Sequence, residues 1–447
     1  MRRRAAVLLL AAARASARNC TIDDVRHEDG HGFDFDGCVR VDLAGAHLGY
    51  QRGQHDEEFA RLIAALTDDI EVLDLRANYL GNRGCAAARA MTTHAPTPPP
   101  HNARATLTAR RAKELAHWLR TARVTDLEVS HNYIGPPGGR ALAEAFEANR
   151  KFTRLHLGAN RFRDEGAIAL AGAVRANTAL RNLTLSFNGV KAKGAAALAA
   201  VLANNGSSLR ALELDQNPLG DKGVIALGDA LATNAVVEYV DVHATGMGDA
   251  GAAALAAALG AGSSILDLQA WNNSIGDAGA VAIAGALEAN TRLWVLSLEQ
   301  NSIGEKGALA LARAITVGAR NIFELGLSLN PIPEKGARKL MAVLDDRATA
   351  LRRLALPRNG REGLHAPSWE CVGGCPQGHQ SAVLDPRFWS DDNPAASPTP
   401  QREADRVNEP AWPSWYVPGT SLLGEIQSGP DPDDPSGYQR RRYQDEL

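Results

Sequence analysis

The sequence predicts an α/β horseshoe solenoid, with parallel β-strands on its concave face and α-helices on its convex face. A short phrase that ends in asparagine, such as LHLGAN, LTLSFN or LELDQN, recurs along the 447-residue chain. A run rich in glycine and alanine, such as GAIALAGAV, follows it. From Asn132 onward the phrase returns at a nearly constant period of about 28 residues. A constant period of this length is typical of stacked repeats, in which each copy contacts only its neighbours.

The first part of each copy predicts a short strand. In the copy that begins at Leu209, the side chains of Leu212 and Leu214 alternate with Glu213. Because successive side chains of a strand point to opposite faces, the leucines can point inward while Glu213 lies on the other face.

An asparagine follows each predicted strand, where the backbone must bend inside a packed coil. Its amide group both donates and accepts hydrogen bonds, so stacked asparagines can satisfy backbone groups that would otherwise be buried unpaired. Ala46 and Thr245 stand at this position in two weaker copies, and Asn359 keeps the spacing. We expect the structural role for Asn78, Asn132, Asn160, Asn188, Asn217, Asn273, Asn301 and Asn330.

The second part of each copy predicts a helix. After Gly223, the apolar residues Val224, Leu227 and Leu231 have helical spacing, and small alanines between them allow neighbouring helices to pack closely. One copy cannot bury its own apolar face, so the copies must stack, with the sheet inside the arc and the helices outside.

The phrase L-x-x-L-x-L-x-x-N-x-L at this period resembles the leucine-rich repeat. The length of each copy, together with the run G-A-x-A-L-A-x-A-L, resembles its ribonuclease-inhibitor class. That class also occurs in the repeat arrays of NOD-like receptors and of Ran GTPase-activating protein.

The period divides the chain into four predicted regions. These are a candidate signal or transit segment at 1–19, an N-terminal cap at 20–38, about 11 repeats at 39–356, and a C-terminal cap with a Pro-rich, largely flexible tail at 357–447. The step from Asn78 to Asn132 is nearly twice as long as the others, and removing about 85–111 nearly restores the period. We therefore predict a loop inserted into one repeat. A docking loop, a tolerated insertion and an unspliced segment all remain open.

The termini and the cysteines bear on the compartment. The start MRRRAAVLLLAAARASA is typical of a secretory signal or an organelle transit peptide, and the final QDEL resembles the K-D-E-L retrieval signal without its lysine. Cys20 and Cys38 bracket the predicted cap, Cys371 and Cys375 are close enough in sequence to pair, and Cys85 is left over. In a reducing compartment all five would be thiols. We favour the cytoplasm, with the secretory pathway or the ER lumen as the main alternative.

Two short motifs suggest metal binding but fit it poorly. The segment 27–31 reads H-E-D-G-H, which matches H-E-x-x-H, yet Asp-Gly at its centre favours a turn over the helix that zinc chemistry needs. Cys371, Cys375 and His379 lack the two-residue spacing of zinc knuckles, and a disulfide or free thiols fit them better. We predict no metal and no cofactor.

Composition and missing motifs argue against an enzyme, a nucleic-acid-binding protein and a membrane span. The net charge is −3, and no apolar run approaches the roughly 20 residues that cross a bilayer. The chain contains neither the phosphate-binding G-x-x-x-x-G-K-S/T loop nor the G-x-S-x-G elbow.

The concave face is the predicted binding surface, because solenoids present extended surfaces there. From the sixth to the tenth copy, the positions flanking the inward leucines carry six carboxylates and no Lys or Arg. Aromatic anchors among polar groups are typical of interface hot spots. Arg76, Arg154 and His156 lie on earlier strands, so a basic partner should dock nearer the C-terminal half. The predicted partner-binding residues are Glu213, Asp215, Tyr239, Asp241, His243, Asp267, Trp271, Glu299 and Glu324.

These observations predict a non-catalytic protein-interaction scaffold. Two alternatives follow from the family resemblance: a regulator of a small GTPase, and an inhibitor of a secreted basic enzyme. The mixed Pro, Arg and Asp tail differs from the acidic tail of Ran GTPase-activating protein, and the chain is not cysteine-rich like ribonuclease inhibitor. The partner and the oligomeric state remain open.

Overall fold

The structure is a computed structural model that describes residues 18–26, 33–44, 55–67, 69–77, 111–203, 207–319, 321–346, 349–356 and 382–383. Several sequence predictions lie outside these residues. They are the signal segment up to residue 17, the inserted loop up to residue 110, both metal motifs, Asn78, and all of the C-terminal region except 382–383.

Within the described residues, one sheet contains 13 strands in chain order, and each strand pairs with the next. The first 12 strands run parallel, and the last is antiparallel to its neighbour. The strands are β1 Arg18–Thr21, β2 Cys38–Asp42, β3 Val72–Asp74, β4 Asp126–Glu128, β5 Arg154–His156, β6 Asn182–Thr184, β7 Ala211–Glu213, β8 Tyr239–Asp241, β9 Asp267–Gln269, β10 Val295–Ser297, β11 Glu324–Gly326, β12 Arg353–Leu356 and β13 Ala382–Val383.

Helices connect the strands on one side of the sheet, as parallel pairing requires. The helices are α1 Ile22–Val25, α2 His55–Ala65, α3 over 111–119, α4 Gly135–Ala148, α5 Arg163–Ala176, α6 Ala192–Leu202, α7 Gly220–Leu231, α8 Asp249–Gly260, α9 Asp277–Leu287, α10 Glu305–Val317 and α11 Glu334–Asp345.

The predicted α/β solenoid is therefore confirmed, and small residues explain how its helices pack. A Cβ atom added to Gly228 of α7 would lie 2.7 Å from the backbone carbonyl carbon of Ala254 in α8, so only glycine permits this approach. The leucines of the repeated phrase, such as Leu212 and Leu214, fill the space between sheet and helices and are buried.

The asparagines after the strands form a hydrogen-bonded ladder. The side-chain amide of Asn188 donates to the carbonyls of Leu157, Leu185 and Ser186 at 2.9, 3.0 and 3.2 Å. Its Oδ1 atom accepts from the backbone N–H groups of Asn160 and Phe162 at 3.0 and 3.2 Å. Related bonds recur at Asn132, Asn160, Asn217, Asn273, Asn301 and Asn330. Each side chain thus joins its own turn to the preceding copy.

Two further ladders join the helices, and the sequence analysis missed both. Near the C-terminal ends of the helices, Asn149, Asn177, Asn234 and Asn290 donate to carbonyls of the preceding repeat. At the N-terminal ends, a carboxylate of one helix accepts hydrogen bonds from two backbone N–H groups of the next. Asp249 Oδ1, for example, lies 2.7 and 2.8 Å from the N atoms of Gly276 and Gly279. Asp164, Asp221 and Asp277 are placed in the same way.

The N-terminal part of the sheet contains two features that the sequence left open. A disulfide bond joins Cys20 of β1 to Cys38 in β2. Farther along, β3 pairs directly with β4, with Leu73 opposite Leu127, so the sheet continues across the long step between two copies. The inserted loop itself remains a prediction.

Replacing Asn188 with alanine tests the asparagine ladder. The change removes three donated and two accepted hydrogen bonds from a buried turn. We expect Asn188→Ala to lower the free energy of unfolding by about 3 kcal/mol, because unpaired buried backbone groups cost about 1–3 kcal/mol each before relaxation. Urea-induced unfolding measures it.

The opposite change at Thr245 is the matched control. At Thr245 the ladder has no asparagine side chain that could accept hydrogen bonds from the preceding copy. In that copy, the N–H of Leu219 donates to the backbone carbonyl of Asn217 instead, at 2.7 Å. Thr245→Asn restores the missing acceptor and should raise the free energy of unfolding by about 1 kcal/mol. Equal effects of the two substitutions would contradict this account of the ladder.

Asp249 tests the carboxylate ladder. Because Asp249 accepts the first free N–H groups of α9 and lies at the positive end of that helix, Asp249→Ala should destabilise the fold by about 1 kcal/mol. Asp249→Asn keeps an acceptor and should lose less. Thermal unfolding of the two variants measures the difference, and an equal loss would point to the charge instead of the hydrogen bonds.

Candidate functional site on the concave face

Strands β7 to β10 bring equal positions of successive repeats side by side. Glu213 of β7 is opposite Asp241 of β8, which is opposite Gln269 of β9 and then Ser297 of β10. Neighbouring strands lie about 4.8 Å apart, so these side chains must contact one another. The period of the sequence therefore sets which concave residues meet.

His243 lies at the centre of the most compact polar cluster on this face. Its Nδ1 atom is 2.8 Å from Asp241 Oδ1, and its Nε2 atom is 3.6 Å from Asp215 Oδ2. The ring of Trp271 stacks on the imidazole, with 3.7 Å between the ring centroids. The hydroxyl of Ser186 donates a short hydrogen bond to Asp215. The carboxylates and the indole thus hold the imidazole in one orientation.

Two polar atoms next to this cluster have no hydrogen-bond partner in the described structure. They are Glu213 Oε2 and the hydroxyl of Tyr239, and both are buried. Burying such atoms without a partner costs free energy. The arrangement is therefore not optimised for stability alone.

Burial and mutual repulsion raise the pKa values of the acids in the cluster. Burial, and then repulsion from Asp241 and Asp215, raises the pKa of Glu213 well above its ordinary value. Burial and Asp241 raise the pKa of Asp215 to about 6, although His243 opposes the change. Burial lowers the pKa of His243, but attraction to Asp241 and the hydrogen bond that the imidazole donates to it outweigh burial, and the pKa is raised. The carboxyl groups of Glu213 and Asp215 therefore hold a proton more tightly than free carboxyl groups do.

The structure corrects the prediction that the concave residues are displayed to solvent. Asp215 is 0% exposed, Glu213 is 1% exposed and His243 is 5% exposed. Tyr239, Asp241 and Asp267 are also buried, each at 2% exposure. Strand spacing is the reason, because the side chains of adjacent repeats cover one another along the inside of the arc. Among the predicted residues, Trp271, Glu299 and Glu324 are half-buried and remain partly accessible.

Glu299 and Glu324 lie apart from the His243 cluster. The Glu299 carboxylate occupies the space over Gly326, where an added Cβ atom would lie 1.8 Å from its Oε1 atom. Its Oε2 atom is buried without a hydrogen-bond partner, and burial raises the pKa of Glu299 to about 7. Glu324 Oε2 is 3.2 Å from the guanidinium of Arg353 on β12. Because Arg353 neutralises Glu324, the predicted run of unpaired carboxylates ends one residue earlier, at Glu299.

The basic groups of the earlier strands also lie beside carboxylates, which corrects the expectation that they make the N-terminal part of the concave face basic. Arg76 is 2.7 Å from Asp74, and Arg154 is 2.6 Å from Asp126. His156 lies 3.9 Å from Asp126. Carboxylates therefore neutralise Arg76 and Arg154 locally.

Several site residues were not predicted from the sequence. Ser186 and Thr184 of the β6 repeat contact Asp215 and Glu213, and Arg353 contacts Glu324. They occupy the same repeat positions as the predicted residues, one copy outside the range that was considered. Extending the alignment of the copies by one repeat at each end would have identified them.

A model of the family described as Leucine Rich repeat matches the chain at 124–143, 148–171, 176–199, 207–228 and 266–284. The chain carries leucine-rich repeats. These segments coincide with the strand and helix units between β4 and α9. No curated protein matches the chain.

Several solved structures are similar to the chain. In a TLR13–ssRNA13 complex, TLR13 is 17% identical, with a TM-score of 0.37, over 66% of this chain and 34% of TLR13. The internalin inlF from Listeria monocytogenes str. 4b F2365 is 15% identical, with a TM-score of 0.31, over 56% and 77% of the two chains. Leiomodin-1 actin-binding site 2 is 14% identical, with a TM-score of 0.23, over 45% and 85%. At these values the similarities carry no argument about function.

The described repeats contain groups that could hold a ligand. One oxygen or nitrogen atom each from Asp215, Asp241 and His243 lies within 4.8 Å of the other two, which would suit a metal ion.

No helix among the described residues is long and apolar enough to cross a bilayer.

The raised pKa of Glu299 predicts a dependence of stability on pH. The folded chain binds this proton more tightly than the unfolded chain, whose pKa is near 4.5. Its stabilising contribution is therefore present below about pH 4.5 and is lost as the pH rises through about 7. The loss is at most about 3 kcal/mol, at 1.4 kcal/mol per pKa unit.

Glu299→Gln should make the fall in the free energy of unfolding between pH 5 and about 7.5 less steep, as measured by urea denaturation, while Glu213 and Asp215 still contribute to the remaining slope. Glu288→Gln, at an exposed position that follows α9, is the control and should keep the wild-type slope. Parallel curves for wild type and Glu299→Gln would contradict the assignment of the shift to Glu299.

Proposed function

We propose that this chain is a non-catalytic protein-interaction scaffold whose concave face binds a partner that presents Lys or Arg side chains. One observation carries this proposal: the carboxylates of Glu213, Asp215 and Asp241 line the arc without a lysine or arginine ion pair among the described residues. On both sides, by contrast, Asp126 and Glu324 are paired with arginines.

Electrostatics explains why buried carboxylates can still select a partner. Asp215 and Asp241 lie in a curved, poorly solvated sheet, where fields are less screened than in bulk water. Complementary charge speeds encounter and disfavours acidic partners. The same field disfavours the phosphate backbone of nucleic acids.

Trp271 is the proposed anchor of the contact. It is half-buried and stacks on His243, so its orientation is fixed before a partner arrives. Pre-ordered aromatic side chains lose little conformational entropy on binding, and they are frequent among interface hot spots. Glu299 and Glu324, which are also half-buried, would lie beside it.

We also infer that the repeats belong to the ribonuclease-inhibitor-like class. Each central repeat contains a full helix of 11 to 14 residues within its long period, which supports this assignment. The small-GTPase regulator and the enzyme inhibitor remain alternatives, and no contact among the described residues favours either one over the scaffold.

A selection from a random peptide library tests the proposal without assuming a partner. We expect peptides that bind the immobilised full chain to be enriched in Lys and Arg and to weaken as salt rises. Trp271→Ala should reduce their affinity about 30-fold, the loss that corresponds to about 2 kcal/mol at a hot spot. Fluorescence anisotropy with a labelled selected peptide measures it.

Trp294→Ala is the matched control, because Trp294 is a half-buried tryptophan at the opposite edge of the strands, directly before β10. It should leave peptide affinity unchanged. Thermal unfolding of both variants separates lost binding from lost folding. Selected peptides without a basic excess, or equal losses in the two variants, would exclude the proposed face.

A further inference from the structure

The cluster around His243 has the composition and spacing of a metal site. His243 contributes ring nitrogens 2.8 Å from Asp241 Oδ1 and 3.6 Å from Asp215 Oδ2. Ligand atoms around a tetrahedral zinc ion, with bonds of about 2.1 Å, are about 3.4 Å apart. One ring nitrogen of His243 and one oxygen each of Asp215 and Asp241 lie within 4.8 Å of one another, so these three groups would have to move closer to bind one ion. The other ring nitrogen could then donate a hydrogen bond to a carboxylate, as is usual for histidines that bind a metal.

An independent observation also points to a cation as the ligand. Glu213 precedes Asp215 by two positions on the same face of the chain, and it is opposite Asp241 in the neighbouring strand. Its Oε2 atom is buried and has no hydrogen-bond donor, although the residue is only 1% exposed. A cation bound next to this carboxylate would compensate for the burial of that oxygen.

The charge balance distinguishes this cluster from the other polar pairs of the concave face. Asp126 meets the guanidinium of Arg154, and Glu324 meets that of Arg353. Glu213, Asp215 and Asp241 share one basic group, His243, and no lysine or arginine ion pair reaches them within the described repeats. When they are deprotonated, three buried carboxylates beside one imidazole carry a negative surplus that a divalent ion would neutralise.

We propose that Asp215, Asp241 and His243 bind one divalent transition-metal ion, for which zinc is the best match, with the Glu213 carboxylate beside them. Zinc accepts carboxylate oxygen together with imidazole nitrogen and takes four ligands. Calcium needs six to eight oxygens, and magnesium usually keeps several waters, which a buried cluster does not favour. Because the ligands must lose protons, zinc binding releases protons from the cluster.

Trp271 packs against the proposed ligand His243, and its fluorescence can report on metal binding. Its indole covers one face of the His243 ring at 3.7 Å between centroids, which restricts the rotation of the imidazole. An open-shell ion such as Co²⁺, bound at His243, would lie next to the indole and quench its fluorescence. Trp271→Phe should remove the quenched component and keep the metal.

The test uses the full chain, stripped with a chelator, dialysed and titrated with ZnCl₂ in a calorimeter. We expect saturable binding of about one Zn²⁺ per chain that is lost in His243→Gln, together with a rise in the unfolding temperature. MgCl₂ should give no comparable heat. His156→Gln is the matched control, because His156 also lies beside a carboxylate on this face, 3.9 Å from Asp126. It should bind zinc like the wild type.

Glu213→Gln keeps the result interpretable if His243→Gln fails to fold. The change preserves shape and removes a carboxylate oxygen that has no donor, so the metal-free variant should be at least as stable as wild type. Its zinc affinity should fall at least about tenfold.

Two results would overturn the site: no saturable zinc binding by the wild type, or binding that neither His243→Gln nor Glu213→Gln reduces. The second result would place the ion elsewhere, for example at 27–31 or at 371–379. The zinc titration contains no partner, and the peptide selection uses the chelator-stripped chain, so failure of one can be distinguished from failure of the other.

Discussion

The hydrogen bonds of the asparagine after each strand are the interaction on which the rest of this structure depends. Each coil of the solenoid must turn sharply at the end of its strand, and the backbone groups of that turn are buried. An amide side chain can donate to carbonyls of its own turn and of the preceding copy, and accept from N–H groups of that copy, all at once. Each copy therefore completes the hydrogen bonding of its neighbour.

This mutual dependence fixes the register of the sheet, and the register creates the candidate site. Once the turns are locked, residues one period apart must lie on adjacent strands, as Glu213 and Asp241 do. Carboxylates at equal positions of successive copies then lie side by side in a poorly solvated arc. Their burial and repulsion raise the pKa of Asp215 to about 6, so the regularity that stabilises the solenoid also concentrates charge on its concave face.

A single imidazole determines how that charge is organised. The imidazole of His243 contacts two carboxylates and a stacked indole. Among the described residues, His243 and these two carboxylates form the only group of three potential metal ligands that lie close together. Asp126 and Glu324, by contrast, each meet an arginine and are neutralised in pairs. The candidate site therefore differs from the strands on either side of it in the basic group that its carboxylates contact: an imidazole instead of a guanidinium.

The sequence by itself determined the α/β solenoid and the set of residues that line the concave face. Period and alternation suffice for both, because they depend on local geometry that every copy repeats. Only the tertiary structure decided which of those residues remain accessible. Glu213 and Asp241 are covered by their neighbours, whereas Trp271 is not, and Arg353 neutralises Glu324 from the next strand. Burial and pairing depend on side chains from adjacent repeats, and the period alone does not specify how they fold over one another.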